Sequence, residues 1–369
     1  MRAAIGTENR TLTTLDHSAL ELSEIRHMTD AALDEFLDRK SLTAASHQML
    51  ELVETLRGFL SSGGKRIRPV MCLCGWYAAG GKETPRPVVK AAASLELFHA
   101  CALIHDDVMD NSDARRGRLT LHRLLAERHR RRDPPGNAER FGTNAAILLG
   151  DLALAWSDEM FHTAGLSPAQ VQAALPMLDA MRSEVMFGQY LDLLGTGRPT
   201  GDVGEALMAS RFKTAKYTVE RPLHIGAALA GSGPAIRDAL TAYALPVGEA
   251  FQLRDDLLGV FGDSRQTGKP VDDDLREGKC TVLMALAVAR ADAAQLRVLR
   301  SLVGCSDLDA EEADAIRDVL VSTGARSVVD QMITSRCRRA LGVLDRAPFP
   351  LPATNALRRL AHSASVRTS

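Results

Sequence analysis

The stretch from Leu95 to Asp110 reads LELFHACALIHDDVMD, an apolar run of helical character that ends in three carboxylates. Because four residues make about one helical turn, Asp106 and Asp110 fall on one face, with Asp107 beside them. Three anions so close together repel one another and are costly to desolvate, and a bound divalent cation relieves both penalties. Mg²⁺ takes its oxygen ligands from carboxylates, water and substrate phosphates. The stretch therefore indicates a clamp for a metal and a diphosphate, backed by an apolar wall.

A simpler interpretation of the same carboxylates is a solvated helix end. Acidic clusters at helix ends are usually surface features, and short motifs produce false matches. The apolar residues that precede Asp106 favour an interior location instead.

The composition favours one helical protein of enzyme size. With 369 residues, 46% of them hydrophobic, the chain is long enough for one large core or two smaller ones. Its net charge of -1 gives no overall field that would attract nucleic acid or an anionic membrane. Aromatic residues make up only 4%, Ala and Leu are frequent, and no alternating β-branched run stands out, which together predict an all-α chain.

Cysteine usage and hydropathy predict a cytoplasmic protein. None of the six cysteines has C-x-x-C spacing, and we interpret them as reduced core thiols rather than metal ligands or disulfides. They are Cys72, Cys74, Cys101, Cys280, Cys305 and Cys337. The sequence shows no signal peptide, and no apolar run approaches the roughly 18 residues of a membrane span. We therefore expect no transmembrane segment.

The chain divides into a short extension and one large domain. Residues 1–25 are polar and lack a packing period, so we predict a loose N-terminal extension followed by a single domain over 26–369. A helical pattern begins near Met28. Further helices are predicted over 70–83, 87–110, 217–231 and 238–263.

A charged segment with Pro and Gly, 126–142, is predicted to be a loop. Its arginines are more typical of a solvated surface than of a nucleic-acid site, and no nucleic-acid partner is expected. They are Arg128, Arg130, Arg131 and Arg132.

Two basic clusters are candidates for binding phosphate. The first lies within 61–69, where glycines let the backbone approach closely and Lys65 and Arg68 would neutralise phosphate oxygens. The second, Arg115 and Arg116, comes directly after the carboxylates and suits bidentate phosphate binding. The alternatives are an exposed basic loop for the first cluster and plain ion pairs for the second.

A second pair of adjacent aspartates, Asp255 and Asp256, lies inside another apolar run. Two such pairs favour a shared metal site, because helical bundles build metal centres from carboxylates that project inward from facing helices. Lys213 and Thr214 are a weaker signal, since surface lysines are common. The segment 267–279 is predicted to be a loop that could close over the mouth of the site.

In combination, these motifs resemble those of the trans-isoprenyl diphosphate synthases, the polyprenyl synthetase family. The matching pieces are 63–69, 106–110, 115–117, 213–214, 251–256, 267–269 and 277–279. The resemblance implies a single-domain, all-α bundle around a deep central cavity, usually in a homodimer. It also implies a Mg²⁺-dependent prenyltransferase, in which an allylic diphosphate ionises, the double bond of isopentenyl diphosphate attacks the carbocation, and a proton is lost. An apolar cavity would keep water away from the cation.

The resemblance also assigns roles to individual residues. It implies three Mg²⁺ ions per active site, held by Asp106, Asp107, Asp110, Asp255 and Asp256. The allylic diphosphate would be bound by Arg115, Lys213 and Lys269. The isopentenyl diphosphate would be bound by Lys65, Arg68, His99 and Arg116. Further expected site residues are Thr214, Lys279 and Gln252, of which Gln252 would steady the carbocation. The residues expected to be catalytic are Asp106, Asp110, Asp255, Lys213, Lys269 and Gln252.

The second aspartate motif departs from the family pattern. Its third aspartate is replaced by Gly259, and Asp263, one turn further on, cannot simply take its place. Because the first aspartate of this motif matters most in the family, activity is still expected, with an altered affinity for metal.

The helix before Asp106 is expected to set the length of the product. Cys101 and Ala102 lie about one turn deeper than Asp106 and are small enough for a prenyl tail to pass. Phe98, a further turn down, is the candidate floor. These positions predict a C20 product, geranylgeranyl diphosphate, with C25 or longer, or farnesyl diphosphate, as alternatives. His99 lies two turns before Asp106 and can face the same cavity, although a packed core histidine is the simpler interpretation without the family match.

Two other functions remain open from the sequence. A class I terpene cyclase would share the fold and the first motif, but it needs no second diphosphate site. A non-catalytic subunit of a prenyl synthase would usually have lost aspartates, and only Gly259 points that way.

Overall fold

Helices make up nearly all of the protein in a computed structural model, which describes residues 20–132, 136–197, 199–262 and 272–366. The predicted all-α class is therefore confirmed. The α-helices are α1 (Leu22–Leu42), α2 (His47–Ser61), α3 (Ile67–Ala78), α4 (Arg86–Met109), α5 (Leu121–Arg131), α6 (Ala138–His162), α7 (Pro168–Gly195), α8 (Val203–Ser210), α9 (Arg221–Leu229), α10 (Pro234–Phe261), α11 (Asp273–Arg276), α12 (Val282–Arg290), α13 (Ala293–Leu302), α14 (Ala310–Ser322), α15 (Ala325–Leu344) and α16 (Leu351–Val366). A π-helix, Arg211–Glu220, joins α8 to α9. Two short strands, β1 (Ala114–Arg115) and β2 (Arg118–Leu119), form a hairpin after α4.

Helix α4 lies at the centre of the fold. It packs against α6 on one side and against α3 and α1 on others, so it is buried on nearly every face. Leu95 and Phe98 belong to one hydrophobic cluster with α3, α9 and α10, whereas Leu97 and Ile104 belong to a second cluster with α1, α2 and α6. A third cluster fills the space between α10 and helices α12 to α15. A helix that is apolar all round is typical of such a central position.

The same helix is long and apolar enough to cross a membrane by length and composition, contrary to the expectation that no segment would be. In the folded chain, 72% of its most apolar window is buried inside the protein. The apolar character of α4 is therefore explained by its place in the core.

Helices α3 and α9 approach one another unusually closely. A Cβ atom on Gly226 would collide with the backbone oxygen of Cys72, and one on Gly75 would collide with the backbone oxygen of Leu223. Because each glycine has no side chain, the backbone of the other helix can pass directly beside it. This contact holds the start of α3, and with it the basic segment before it, against the π-helix and α9.

The boundaries of several elements differ from the sequence-based prediction. Helix α1 begins at Leu22 rather than near Met28, and both Leu20 and Ile25 are buried, so the end of the predicted loose extension packs on the core. Residues 1–19 lie outside the described residues.

The predicted loop 126–142 is wrong in part, because α5 continues to Arg131 and α6 begins at Ala138. The arginine side chains here lie on the surface and form ion pairs with Glu51, Glu127 and Glu139. Gly136 lies between α5 and α6, outside both helices, whereas the predicted loop residues up to Arg131 and from Ala138 onward are helical.

The cysteines are free, as expected for reduced thiols. Cys72, Cys74, Cys101 and Cys337 are buried, but Cys305 is exposed and Cys280 is half-buried, so the prediction of a core location fails for these two. Burial raises the pKa of the Cys101 thiol to about 12, which leaves it unreactive at neutral pH.

Candidate active site

A cavity of about 960 Å³ opens between α4, α7, α10 and the π-helix. It is lined by most of the residues that the sequence singled out. These are Lys65, Arg68, Phe98, His99, Cys101, Ala102, Asp106, Arg115, Arg116, Lys213, Thr214, Gln252, Asp255, Asp256 and Lys279. Residues more than 200 positions apart are thereby brought to one chamber, which both charged and apolar side chains line. Lys269 lies outside the described residues.

The first aspartate motif is surrounded by cations. Lys213 Nζ lies 3.1 Å from Asp106 Oδ1, and Arg115 Nη2 lies 3.3 Å from Asp106 Oδ2. Burial raises the pKa of Asp106, but Lys213, Arg115 and Lys279 outweigh it and leave the pKa below its ordinary value. Asp106 is therefore a carboxylate anion that faces the cavity.

The other two aspartates of this motif differ from Asp106 in their surroundings. Asp107 is 1% exposed and accepts a hydrogen bond from Arg115 Nε at 2.7 Å, so in this structure it positions that arginine. Asp110 Oδ2 lies 3.2 Å from Lys279 Nζ. Burial raises the pKa of Asp110, and the charge of Asp106 adds to the effect, although Lys279 opposes it. Neither Asp107 nor Asp110 is among the residues that line the cavity.

The second aspartate pair sits on α10, and its polar neighbours form a chain. Thr214 Oγ1 donates a hydrogen bond to Gln252 Oε1 at 2.6 Å, and Gln252 Nε2 donates one to Asp256 Oδ1 at 2.7 Å. Gln252, which the family resemblance assigns to steadying the carbocation, thus bonds Thr214 and Asp256 and lines the cavity. Burial raises the pKa of Asp256 to about 8, and neighbouring carboxylates add to the rise, whereas the bond from Gln252 opposes it.

A basic rim faces the two aspartate motifs. Arg115 ends β1, and the next residues, Arg116 (φ 53) and Gly117 (φ 71), both have positive φ, as the two-residue turn of a hairpin requires. This turn holds Arg116 in a conformation that costs a non-glycine residue about 1 kcal/mol or more. Arg66, at the start of α3, has φ 49 and is fixed by bonds to Asp30 and Glu96. Strained residues of this kind cluster at functional sites.

Aromatic contacts orient the deeper part of the rim. The Arg68 guanidinium lies 4.0 Å from the centre of the Tyr217 ring, and its Nη2 donates to Thr218 Oγ1 at 2.7 Å. Tyr217 Oη lies 3.3 Å from His99 Nδ1. Burial, followed by the charges of Arg68 and Arg115, holds the pKa of His99 well below its ordinary value, so the ring is neutral at neutral pH.

Three residues of the site had no assigned role in the sequence analysis. Asp192, on α7, accepts a hydrogen bond from Lys213 Nζ at 2.6 Å. Tyr217 links Arg68 to His99, and Asp274 lines the cavity next to Gly259. Asp192 stands between Leu191 and Leu193, which is a local signal for a side chain that faces a cavity, while nothing local to the sequence separates Asp274 from its two acidic neighbours.

The donors present suit a hard divalent cation. Among the described residues no three acidic side chains converge on one point, because Lys213 lies between Asp106 and Asp192, and Lys279 lies beside Asp110. Asp256, buried among other carboxylates, holds a proton at neutral pH that a bound cation would displace. All these donors are carboxylate oxygens, the ligands that Mg²⁺ prefers.

Two carboxylate motifs and two sets of cations around one apolar chamber define a class of helical enzyme that binds diphosphates together with a metal. Comparison with known proteins agrees with this class. The polyprenyl synthetase family model matches residues 50–320. Geranylfarnesyl diphosphate synthase from Aeropyrum pernix is 34% identical over 294 residues, which is 78% of this chain and 85% of that protein. Farnesyl diphosphate synthase from Mycobacterium tuberculosis is 32% identical over 81% of this chain and 78% of its own length.

A solved structure is similar along nearly the whole chain. Geranylgeranyl pyrophosphate synthase from Corynebacterium glutamicum, complexed with isoprenyl diphosphate and magnesium, has a TM-score of 0.91 and 41% identity. The match covers 94% of this chain and 100% of that one. The chain belongs to the polyprenyl synthetase family, and it is a prenyltransferase of the trans-prenyl diphosphate synthase type.

Proposed function

We propose that this enzyme condenses isopentenyl diphosphate with an allylic diphosphate and that its main product is geranylgeranyl diphosphate, C20. The observation that carries the proposal is that Asp106, Asp255 and Phe98 line one cavity, with Phe98 about two helical turns before Asp106 on α4. The solved relative with a TM-score of 0.91 was crystallised with isoprenyl diphosphate and magnesium, which supports the same ligands here.

In the proposed mechanism, the chain's own cations bind and orient the two diphosphates. Arg115 and Lys213, beside Asp106, bind the allylic diphosphate; Lys269, the third cation expected in this role, lies outside the described residues. Asp106, Asp107, Asp110, Asp255 and Asp256 would hold Mg²⁺, for which we propose three sites. Bound Mg²⁺ would neutralise the diphosphate and stabilise it as a leaving group.

The second diphosphate is held on the basic rim. Lys65, Arg68 and Arg116 would bind isopentenyl diphosphate, with His99 as a neutral hydrogen-bonding partner. In the proposed reaction, the double bond of isopentenyl diphosphate would attack the carbon that loses diphosphate, and a proton would then be lost. The apolar wall of α4 excludes water, which would otherwise capture the carbocation.

Phe98 supports a C20 product because its neighbours hold its ring in place, so that the ring can act as the floor that stops the growing prenyl chain. Its ring is 1% exposed, meets the Tyr217 ring edge-on at 5.8 Å, and lies 5.7 Å from the Arg182 guanidinium carbon. Above it, Cys101 and Ala102 leave room for a chain. A farnesyl group could therefore enter and be extended once before its end reaches Phe98.

The proposal includes a homodimer in the cytoplasm. Large apolar side chains are exposed on α6 and α7, where Leu148 is 68% exposed, Tyr190 59% and Leu194 52%. Exposed apolar surface of this kind is typical of a protein interface. The free cysteines support a reducing compartment.

Product analysis tests the proposed reaction. The purified protein is incubated with isopentenyl diphosphate, Mg²⁺ and, in parallel, dimethylallyl, geranyl or farnesyl diphosphate, and the products are separated by chromatography. We expect C20 from each starter. Accumulation of C15, or C25 and longer products, would overturn the assigned length, and no product from any starter without an added partner would favour a non-catalytic subunit.

A further inference from the structure

Gly259 lies one helical turn after Asp255 on α10, at the position where the second motif lacks its third aspartate. The space next to this glycine is filled by another residue. A Cβ atom on Gly259 would collide with Asp274 Oδ2 and would lie 3.0 Å from Asp274 Cγ. The carboxylate of Asp274 therefore stands where a side chain from position 259 would begin.

Asp274 is the last of three successive aspartates, and the three have different surroundings. The carboxylate of Asp272 pairs with Arg317, and Oδ1 of Asp273 lies 3.5 Å from Arg276 Nη1. Asp274, in contrast, lines the cavity together with Asp255 and Asp256. The short helix α11 thus turns one carboxylate of the three toward the active site.

Lys279 connects Asp274 to the first aspartate motif. Its Nζ lies 3.2 Å from Asp110 Oδ2 and 3.9 Å from Asp274 Oδ1. The Lys279 ammonium group therefore lies between the carboxylates of Asp274 and Asp110, and the Asp274 carboxylate also lies beside Gly259.

We propose that Asp274 supplies the carboxylate that position 259 lacks and holds, together with Asp255, a divalent cation in the active site. The proposal rests on the metal site of the proposed function. A glycine inside a helix is unfavourable relative to alanine, and here any side chain would displace the Asp274 carboxylate. Gly259 and Asp274 therefore act as a pair: because position 259 has no side chain, the Asp274 carboxylate can occupy the space beside it.

Metal binding without turnover tests the role of Asp274. The full-length protein is titrated with Mn²⁺ in the presence of inorganic diphosphate, and free Mn²⁺ is followed by electron paramagnetic resonance. We expect Asp274→Asn to weaken one class of Mn²⁺ sites at least about tenfold. The matched control is Asp273→Asn, whose side chain pairs with Arg276 outside the cavity and should leave Mn²⁺ affinity within about twofold of the unaltered protein.

A double variant moves the carboxylate from position 274 to position 259. Gly259→Asp combined with Asp274→Ala should recover the Mn²⁺ affinity that Asp274→Ala alone loses. If Asp274→Ala acted by disturbing the fold of α11, Gly259→Asp would not restore Mn²⁺ affinity. Recovery would therefore show that the carboxylate itself binds the cation. Unchanged Mn²⁺ binding in Asp274→Asn, or no recovery in the double variant, would overturn the proposal. Absence of Mn²⁺ binding in the unaltered protein would instead overturn the proposed metal site itself, and the inference with it.

Discussion

Lys213 Nζ lies 2.6 Å from Asp192 Oδ2, so a carboxylate of α7 anchors an ammonium group of the π-helix beside Asp106. Burial opposes the charge on Lys213, but Asp106 and Asp192 outweigh it and raise the pKa of the lysine above its ordinary value. Lys213 therefore remains a cation deep in the cavity. Its position depends on Asp192, a residue that touches neither diphosphate in the proposed mechanism.

Replacing Asp192 should weaken binding of the allylic substrate. A hydrogen bond to a charged group contributes about 1.5–3 kcal/mol, so Asp192→Asn should raise the KM for the allylic diphosphate about tenfold or more. The KM for isopentenyl diphosphate should change much less, because its proposed cations are Lys65, Arg68 and Arg116 rather than Lys213. Steady-state kinetics with each substrate varied in turn measures this difference. Asp179→Asn, at an exposed position of the same helix, is the control, and equal changes in both KM values would contradict the assignment.

The aspartate motifs were predictable from the sequence because their geometry is local. Residues four apart share a helix face whatever surrounds them, so Asp106 and Asp110 could be assigned to one face at the end of α4 from spacing alone, although only Asp106 of the three aspartates lines the cavity. The apolar character of Leu95–Ile104 likewise indicated a buried helix, and α4 is buried. Both inferences depend only on contacts within a turn or two.

Other parts of the site depend on contacts between distant segments, which spacing cannot show. The predicted loop 126–142 is helical up to Arg131 and again from Ala138, and its arginines pair with glutamates of other helices. Asp107 turns to Arg115 rather than into the cavity, and Asp274 on α11 lies next to Gly259 on α10. The π-helix also lacked a sequence signal, since its irregular hydrogen bonding is set by the packing of α7 and α10 against it.

The close contact of α3 with α9 should make Gly226 intolerant of any side chain. Because a Cβ atom there collides with backbone, Gly226→Ala must separate the two helices, at a cost of about 3 kcal/mol in the free energy of unfolding. Denaturation in urea measures this cost. Gly58→Ala is the control: no atom lies within 4 Å of the added Cβ, and the helix gains about 0.5–1 kcal/mol. A Gly226→Ala protein as stable as the original would refute the close contact.

The metal-free protein should lose stability as pH rises. Because burial raises the pKa of Asp256 from 3.8 to about 8, the folded chain keeps a proton that the unfolded chain releases between these values. The free energy of unfolding should therefore fall with pH across this window, by at most about 1.4 kcal/mol per pH unit for one proton. Thermal unfolding in EDTA between pH 6 and 8.5 measures the slope.

Asp256→Asn provides the comparison for this slope, since the amide carries no titrating proton. Its Tm should vary less with pH than that of the unaltered protein. Mg²⁺ with diphosphate should raise the Tm of the unaltered protein more at pH 8 than at pH 6, because the proton no longer competes with the cation. Parallel slopes in the two proteins would show that Asp256 is ionised in the metal-free fold.

The exposed apolar residues of α6 and α7 should lie in the subunit interface. Leu148→Glu places a charge at a position that is 68% exposed in the single chain, so it should leave folding intact and dissociate a homodimer. Light scattering after size-exclusion chromatography gives the mass of each species. Val321→Glu, on α14 and 52% exposed, is the control and should remain dimeric. If Leu148→Glu forms a dimer with the same dissociation constant as the unaltered protein, the interface lies elsewhere.

The product length should respond to the size of the residues on the cavity wall of α4. Cys101 lines the cavity between Asp106 and Phe98, so Cys101→Phe should raise the floor by about one helical turn, roughly 5 Å. This is about the length of one prenyl unit, and the main product should shorten from C20 to C15. Phe98→Ala should lower the floor and allow C25 and longer products. Chromatography of products made from dimethylallyl diphosphate measures both shifts, with Cys305→Phe, at an exposed position outside the cavity, as the control. If both variants still make C20, the chain end does not meet this wall, and another surface must limit its growth.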